Sequence, residues 1–394
     1  MPAIFKIKRN FQRLEITYED ILNNEILLDI CQRLTGQREF AIEWDDISYN
    51  KGRLAKLEFE GWIHYISFSF SDIENSGRNS YFQSFPTALT QYLLERNPDK
   101  SINFYFLPYR GNIETVYFIF MFRLMKTIGI NFLNQDLYLT ENYHRFNSIS
   151  DIIVNRDFNR KRNSGNCSTY ASIDETNTLQ IFGKTYGANK YETILLSLAF
   201  NNVSQLPIEV YEIRERNLSS LPEPGRRIII DLGIRVITSD ITLERSEFVT
   251  NDSLRSPSYL YNLLDKLGFK KCCLCDCEIP QIIQGAHIWP VSNIKQAQEI
   301  NLDRKIEHAI NRDNGLWLCN NHHKLFDSNL LFISPDGRLK YKTNIERSHE
   351  IYLKAVTTNS QISNGILTPT FLEYLQLRNS NLNEDHFSYI VDRA

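Results

Sequence analysis

The sequence has almost no charge of one sign: 44 basic against 47 acidic side chains leave −3 over 394 residues. With 42% hydrophobic residues, so small an imbalance excludes a chain that stays unfolded. It also excludes a uniformly basic coat for nucleic acid, though not a local basic groove. Only 16 glycines and 12 prolines occur, which rules out collagen-like and low-complexity classes. No fixed-period repeat is present. Long apolar runs are lacking too. The most apolar stretch, Val116–Met125, is broken by Arg123 and followed by Lys126. It falls far short of the roughly 20 residues that span a bilayer. The N-terminal stretch MPAIFKIKRNFQRLEI has basic residues but no apolar core or small-residue cleavage site. A cytoplasmic protein without membrane contact is expected.

At roughly 100–200 residues per domain, the length predicts two or three domains. We place them at 1–165 (α+β), 166–255 (α/β) and 256–394. In the first, Asp20–Leu34 has helical spacing and Gly36 as a stop. Arg53–Phe70 alternates around Gly61 as a hairpin, Pro86–Arg96 reads as a helix, Ile102–Leu107 as a strand and Glu114–Ile128 as a helix. The polar, basic segment Asn155–Asn166 reads as a loop. In the second, Thr178–Phe182, Ile208–Ile213 and Ile228–Asp231 read as strands, Asn189–Phe200 as a helix, and Pro222, Pro224 and Gly225 as a turn. Helices are expected at Ser258–Leu267 and from Pro369 onward.

Two motifs fail on inspection. Gly183-Lys184-Thr185 resembles the end of a P-loop, but its first glycine would fall at Thr178, so ATP use is not expected. The acidic strand Ile208–Ile213 lacks the lysine two residues after either glutamate that a second type of nuclease site requires.

The cysteines are unevenly spread: of seven, five lie between Cys272 and Cys319. His287, His308, His322 and His323 share the same window. In a reducing compartment such clusters bind metal or catalyse rather than form disulfides. Cys272 and Cys275 make a C-x2-C pair, and Cys319 and His322 a C-x2-H pair. Together they offer the donor set of a tetrahedral structural Zn²⁺ site. Cys273 and Cys277 leave the cysteine register open.

Between these knuckles run Ala286-His287-Ile288-Trp289-Pro290, then Asn314 to Cys319 (NGLWLC), and His322 to Asp327 (HHKLFD). Over about residues 268–335 the chain closely resembles the HNH endonuclease family, a ββα-metal nuclease fold. The expected architecture is therefore α+β and multidomain: N-terminal recognition or dimerisation units precede a C-terminal ββα-metal domain with structural zinc. The resemblance implies hydrolysis of phosphodiester bonds in double-stranded DNA, with His287 as general base and His323 holding a catalytic divalent ion, Mg²⁺. It makes Asn314 either a ligand of that ion or the residue that pins the loop carrying His287. Where many members have an acidic ligand before the base, this chain has Ala286, so a second ligand is unassigned. Asp313 and Asp327 are candidates, the latter also reading as a helix-end hydrogen-bonding residue. His308 reads as a surface-loop residue, and Trp289 and Trp317 as core.

A one-metal site reads few bases, so the upstream residues are expected to supply recognition or control. Arg156, Arg160, Lys161 and Arg162, with Lys324 beside His323, are candidates for phosphate contact; Arg226 and Arg227 are weaker ones. Segments such as FGKTYGANKYET and PIEVYEI look loosely similar to restriction endonucleases of the HNH type. The overall expectation is a type II restriction endonuclease acting as a homodimer. Its rivals are a modification-dependent restriction enzyme and a ligand-gated antiphage effector nuclease.

Overall fold

The structure is a computed structural model. It describes residues 2–8, 22–45, 54–69, 100–106, 116–134, 144–162, 169–184, 189–214, 220–251 and 256–390. The helix expected at Pro86–Arg96 lies outside these residues. Contacts group the chain into two units: 1–167 with 186–205 and 220–235, and 168–185 with 206–219 and 236–394.

The first unit carries a six-stranded mixed sheet, ordered β2-β1-β3-β4-β5-β6. Its strands are β1 (Ala3–Lys8), β2 (Phe40–Asp45), β3 (Leu54–Phe59), β4 (Trp62–Ser69), β5 (Lys100–Phe106) and β6 (Asn131–Phe132). β3 and β4 form the expected hairpin, turning through Glu60 and Gly61, both at positive φ. Helix α1 (Asn24–Thr35) buries Leu27, Ile30 and Cys31, one helical face. It starts where the Asn23 side chain accepts from the Ile26 N–H at 2.9 Å, and stops at left-handed Gly36. Helix α2 (Val116–Thr127) is nearly all apolar and heavily buried.

Several expectations fail in this unit. The segment read as a loop at Asn155–Asn166 is helical to residue 162, as α3 (Ile149–Arg162). Arg156 on α3 is 3% exposed and ion-paired with buried Glu192 at 2.6 Å, so it is a core charge and not a phosphate contact. Arg160, Lys161 and Arg162 lie at the end of α3, with side chains outside the described set. After α4 (Asn189–Val203), the run Ile228–Asp231 belongs to helix α5 (Glu223–Asp231), not to a strand. Pro222 and Pro224 open α5 rather than make a turn. Gly225 lets α5 close on α4, because a Cβ there would lie 2.2 Å from Ile194 Cδ1. Arg226 and Arg227 are residues of α5.

The second unit contains a four-stranded sheet ordered β10-β9-β8-β7. Its strands are β7 (Thr169–Ile173), β8 (Leu179–Lys184), β9 (Ile208–Ile213) and β10 (Arg235–Ser239). Helices α6 (Ile241–Thr250) and α7 (Pro257–Leu267) follow. The ribbon of β11 (Ile283–His287) and β12 (Gly315–Cys319) is antiparallel, with His287 opposite Gly315. Between its strands lie α8 (Val291–Gln296) and α9 (Leu302–Ile310). Helix α10 (Asn320–Asp327) runs directly from β12. A three-stranded sheet of β13 (Leu331–Ile333), β14 (Leu339–Lys342) and β15 (Phe387–Tyr389), with α11 (Arg347–Val356) and α12 (Pro369–Asn379), completes it. One core joins Tyr259, Leu263, Ile283, Trp317, Phe326 and Phe371. Among the described residues, no helix is long and apolar enough to cross a membrane.

Candidate active site and zinc centre

Helix α7 lies directly on the β11–β12 ribbon because the ribbon presents glycine beneath it. A Cβ at Gly315 would sit 2.3 Å from Tyr259 Oη, and one at Gly285 2.6 Å from Leu263 Cδ1. The ribbon ends at His287, and α10 leaves its other strand. These three elements are the ββα unit that the motif order predicts.

The Nε2 atom of His287 lies 2.8 Å from the Ala309 carbonyl oxygen. A carbonyl only accepts, so Nε2 carries the proton and Nδ1 keeps the basic lone pair. Burial lowers the pKa of His287 to about 4, against a hydrogen bond that raises it, and the charge of His323 lowers it further. The imidazole is therefore neutral at pH 7, and the two histidines are within electrostatic reach. His323 stands on α10, its Nε2 3.4 Å from Asp327 Oδ2 one turn later. This i,i+4 pair places one imidazole nitrogen and one carboxylate on the same helix face.

Asn314 is fully buried and its amide is committed. Its Oδ1 accepts from the Trp289 N–H at 2.7 Å, and its Nδ2 donates to the carbonyls of Trp289 and His308, each at 3.1 Å. Of the two roles expected for Asn314, these bonds match the loop pin, since both ends of the amide are tied to backbone groups of Trp289 and His308. Asp313 is engaged through one carboxylate oxygen. Its Oδ1 accepts from Lys266 Nζ at 2.8 Å and from Thr368 Oγ1 at 2.7 Å. Burial pushes its carboxyl up, but these hydrogen bonds and the Lys266 charge hold it below the usual range. Of the two acidic candidates, Asp327 pairs with His323. His308 is a residue of α9 rather than of a loop, with Nδ1 2.9 Å from the Tyr374 hydroxyl. Trp317 is buried, while Trp289 is partly buried and stacks on Tyr374. Lys324 follows His323 on α10.

The ligand atoms of Cys272, Cys275, Cys319 and His322 all lie within 4.8 Å of one another. Cys272 Sγ is 3.5 Å and Cys319 Sγ 3.2 Å from His322 Nδ1, and Cys275 Sγ is 3.9 Å from Cys319 Sγ. Bond lengths of about 2.0–2.3 Å to Zn²⁺ place tetrahedral ligands about 3.5–3.8 Å apart, so the four atoms fit that ion. Cys273 and Cys277 fall outside the cluster. His322 Nε2 meets Thr357 Oγ1 at 3.2 Å, an outer contact that presents Nδ1 inward. Burial and the neighbouring thiols push Cys275 up to about 12, a penalty that a divalent cation at the centre would reverse.

Two residues escaped the sequence reading. Arg378 on α12, 7% exposed, donates to the Ile288 carbonyl at 3.3 Å, to the Phe326 carbonyl and to Asn329 Oδ1 at 3.1 Å. Its guanidinium also lies 3.6 Å from the Phe326 ring centre. It thus ties the residue after His287 to the end of α10. Tyr259 on α7 stacks on His287. Neither residue carries a motif, and both are distant in sequence from what they touch.

Comparison with known proteins gives the class. Residues 272–334 match the family model described as HNH endonuclease, so this segment is an HNH endonuclease domain. Such a domain makes the chain a nuclease that acts on DNA, with a Cys/His cluster compatible with zinc. No curated protein matches the chain.

Proposed function

We propose that the chain is a restriction-type endonuclease that hydrolyses phosphodiester bonds of double-stranded DNA. The observation that carries the mechanism is the His287 tautomer: Nε2 is occupied by the Ala309 carbonyl, so Nδ1 is the free base. In the forward step, Nδ1 removes a proton from a water molecule. The resulting hydroxide attacks phosphorus, and the bond to the bridging oxygen breaks in line. That oxygen takes a proton from solvent, and His287 returns its own. His323 and Asp327 supply a nitrogen and an oxygen suited to a divalent cation such as Mg²⁺. When bound, Mg²⁺ neutralises charge developing on the phosphate. Asn314 holds the turn after His287, and Lys324 lies beside His323 to meet backbone phosphate. Cys272, Cys275, Cys319 and His322 hold a structural Zn²⁺ that fixes the start of α10. Each chain offers one such site and two strands must be cut, which favours a homodimer on a symmetric target.

The test is incubation with unmethylated phage DNA and Mg²⁺. Discrete fragments are expected. Cleavage of methylated DNA alone would transfer the assignment to a modification-dependent enzyme. Cleavage only after a small effector is added would transfer it to a gated nuclease.

A further inference from the structure

The hydrogen bond from Nε2 to the Ala309 carbonyl fixes the tautomer of His287, but not the tilt of its ring. That bond leaves from the far end of the imidazole, and the last histidine torsion is broad. Tilt decides where Nδ1 points. The structure supplies a second restraint outside the matched segment. The Tyr259 ring lies face to face with the imidazole, centroids 4.0 Å apart and planes 11° from parallel. Tyr259 is 1% exposed, and its hydroxyl has no hydrogen-bond partner among the described residues. What it offers the site is therefore its ring. The ring is itself held, because its hydroxyl lodges over Gly315, the residue paired with His287 across the ribbon. Leu263, one turn along α7, closes on Gly315 and Gly285 in the same way. Helix α7 is thus seated on the strand end that carries the base.

We propose that Tyr259 is a positioning residue of the nuclease: its stacked ring sets the plane of the His287 imidazole and so the aim of Nδ1. The proposal rests on the reading of His287 as general base. It predicts a cost in turnover rather than in DNA binding, because Tyr259 is buried and so has no surface to offer DNA.

The experiment compares wild type, Tyr259→Leu, Tyr259→Phe and His287→Ala on phage DNA with Mg²⁺, reading kcat and KM separately and zinc content as a check of folding. Tyr259→Leu should lower kcat by about 10- to 100-fold and leave KM within about twofold, as expected for a misaimed catalytic group. Tyr259→Phe, which keeps the ring, should bring kcat back to within about threefold of wild type. In NMR spectra the His287 ring protons should be displaced upfield in wild type and Tyr259→Phe, and not in Tyr259→Leu. A zinc-loaded Tyr259→Leu enzyme with wild-type kcat, beside an inactive His287→Ala, would overturn the proposal while sparing the base assignment. An active His287→Ala would overturn both. If Tyr259→Leu does not fold, the spectra decide: absence of the upfield displacement in wild type and Tyr259→Phe rejects the stacking itself.

Discussion

At the residue scale the site depends on how side chains are committed, more than on which types are present. His287 keeps one free nitrogen because a backbone carbonyl takes the other. Asn314 has both ends of its amide tied to backbone groups, closing the turn next to His287. Asn314→Ala should therefore cost stability, about 1–3 kcal/mol for the buried groups it leaves unpaired, together with activity. Denaturant titration and a cleavage assay on the same sample check this. The pH behaviour of His287 follows from its folded value of about 4 against an ordinary 6.5. Between those values the unfolded chain binds the extra proton, so His287 contributes stability above 6.5 that is lost progressively as pH falls toward 4. Wild type should therefore lose more stability between pH 7 and 5 than His287→Asn does; equal losses would contradict the lowered value.

At the element scale, the ββα unit was legible from sequence because its residues are short-range. AHIWP straddles the end of β11, NGLWLC enters and fills β12, and HHKLFD lies on α10, in the expected order. Helix α1 was legible from its spacing and the stop at Gly36, though it begins at Asn24 and not at Asp20, and the segments of α7 and α12 read as helices. The failures came where distant partners decide. The basic stretch after Asn155 has loop composition, yet Arg156 meets Glu192, 36 residues later, and the backbone is helical to Arg162. The isoleucine run in α5 has strand propensity, but buried Ile228 and Ile229 and the close seat at Gly225 favour a helix. Arg378 could not be found because its partners lie 49 to 90 positions away. It clamps the end of β11 to the end of α10. Arg378→Met should lower stability by roughly 2–3 kcal/mol, since two carbonyls and Asn329 Oδ1 lose their donor. A thermal melt of the zinc-loaded protein measures this.

At the scale of the whole molecule, a segment of about 60 residues matches the nuclease family. Near-neutral net charge means that attraction to DNA, if it is electrostatic, is local and not spread over the whole surface. Metal analysis should find about one tightly held zinc per chain, and stripping it should unfold the HNH segment, because the knuckles close around the ion. Cys319→Ala should lose that zinc; a folded, zinc-loaded variant would refute the ligand set. The central claim is that His287 activates the water that cuts DNA. Replacing it with alanine and measuring cleavage and binding of the same phage DNA, with Mg²⁺ for cleavage, tests this most directly. Cleavage should fall by about 10²–10⁴-fold while the dissociation constant stays within a few-fold. Cleavage at the wild-type rate would contradict the account.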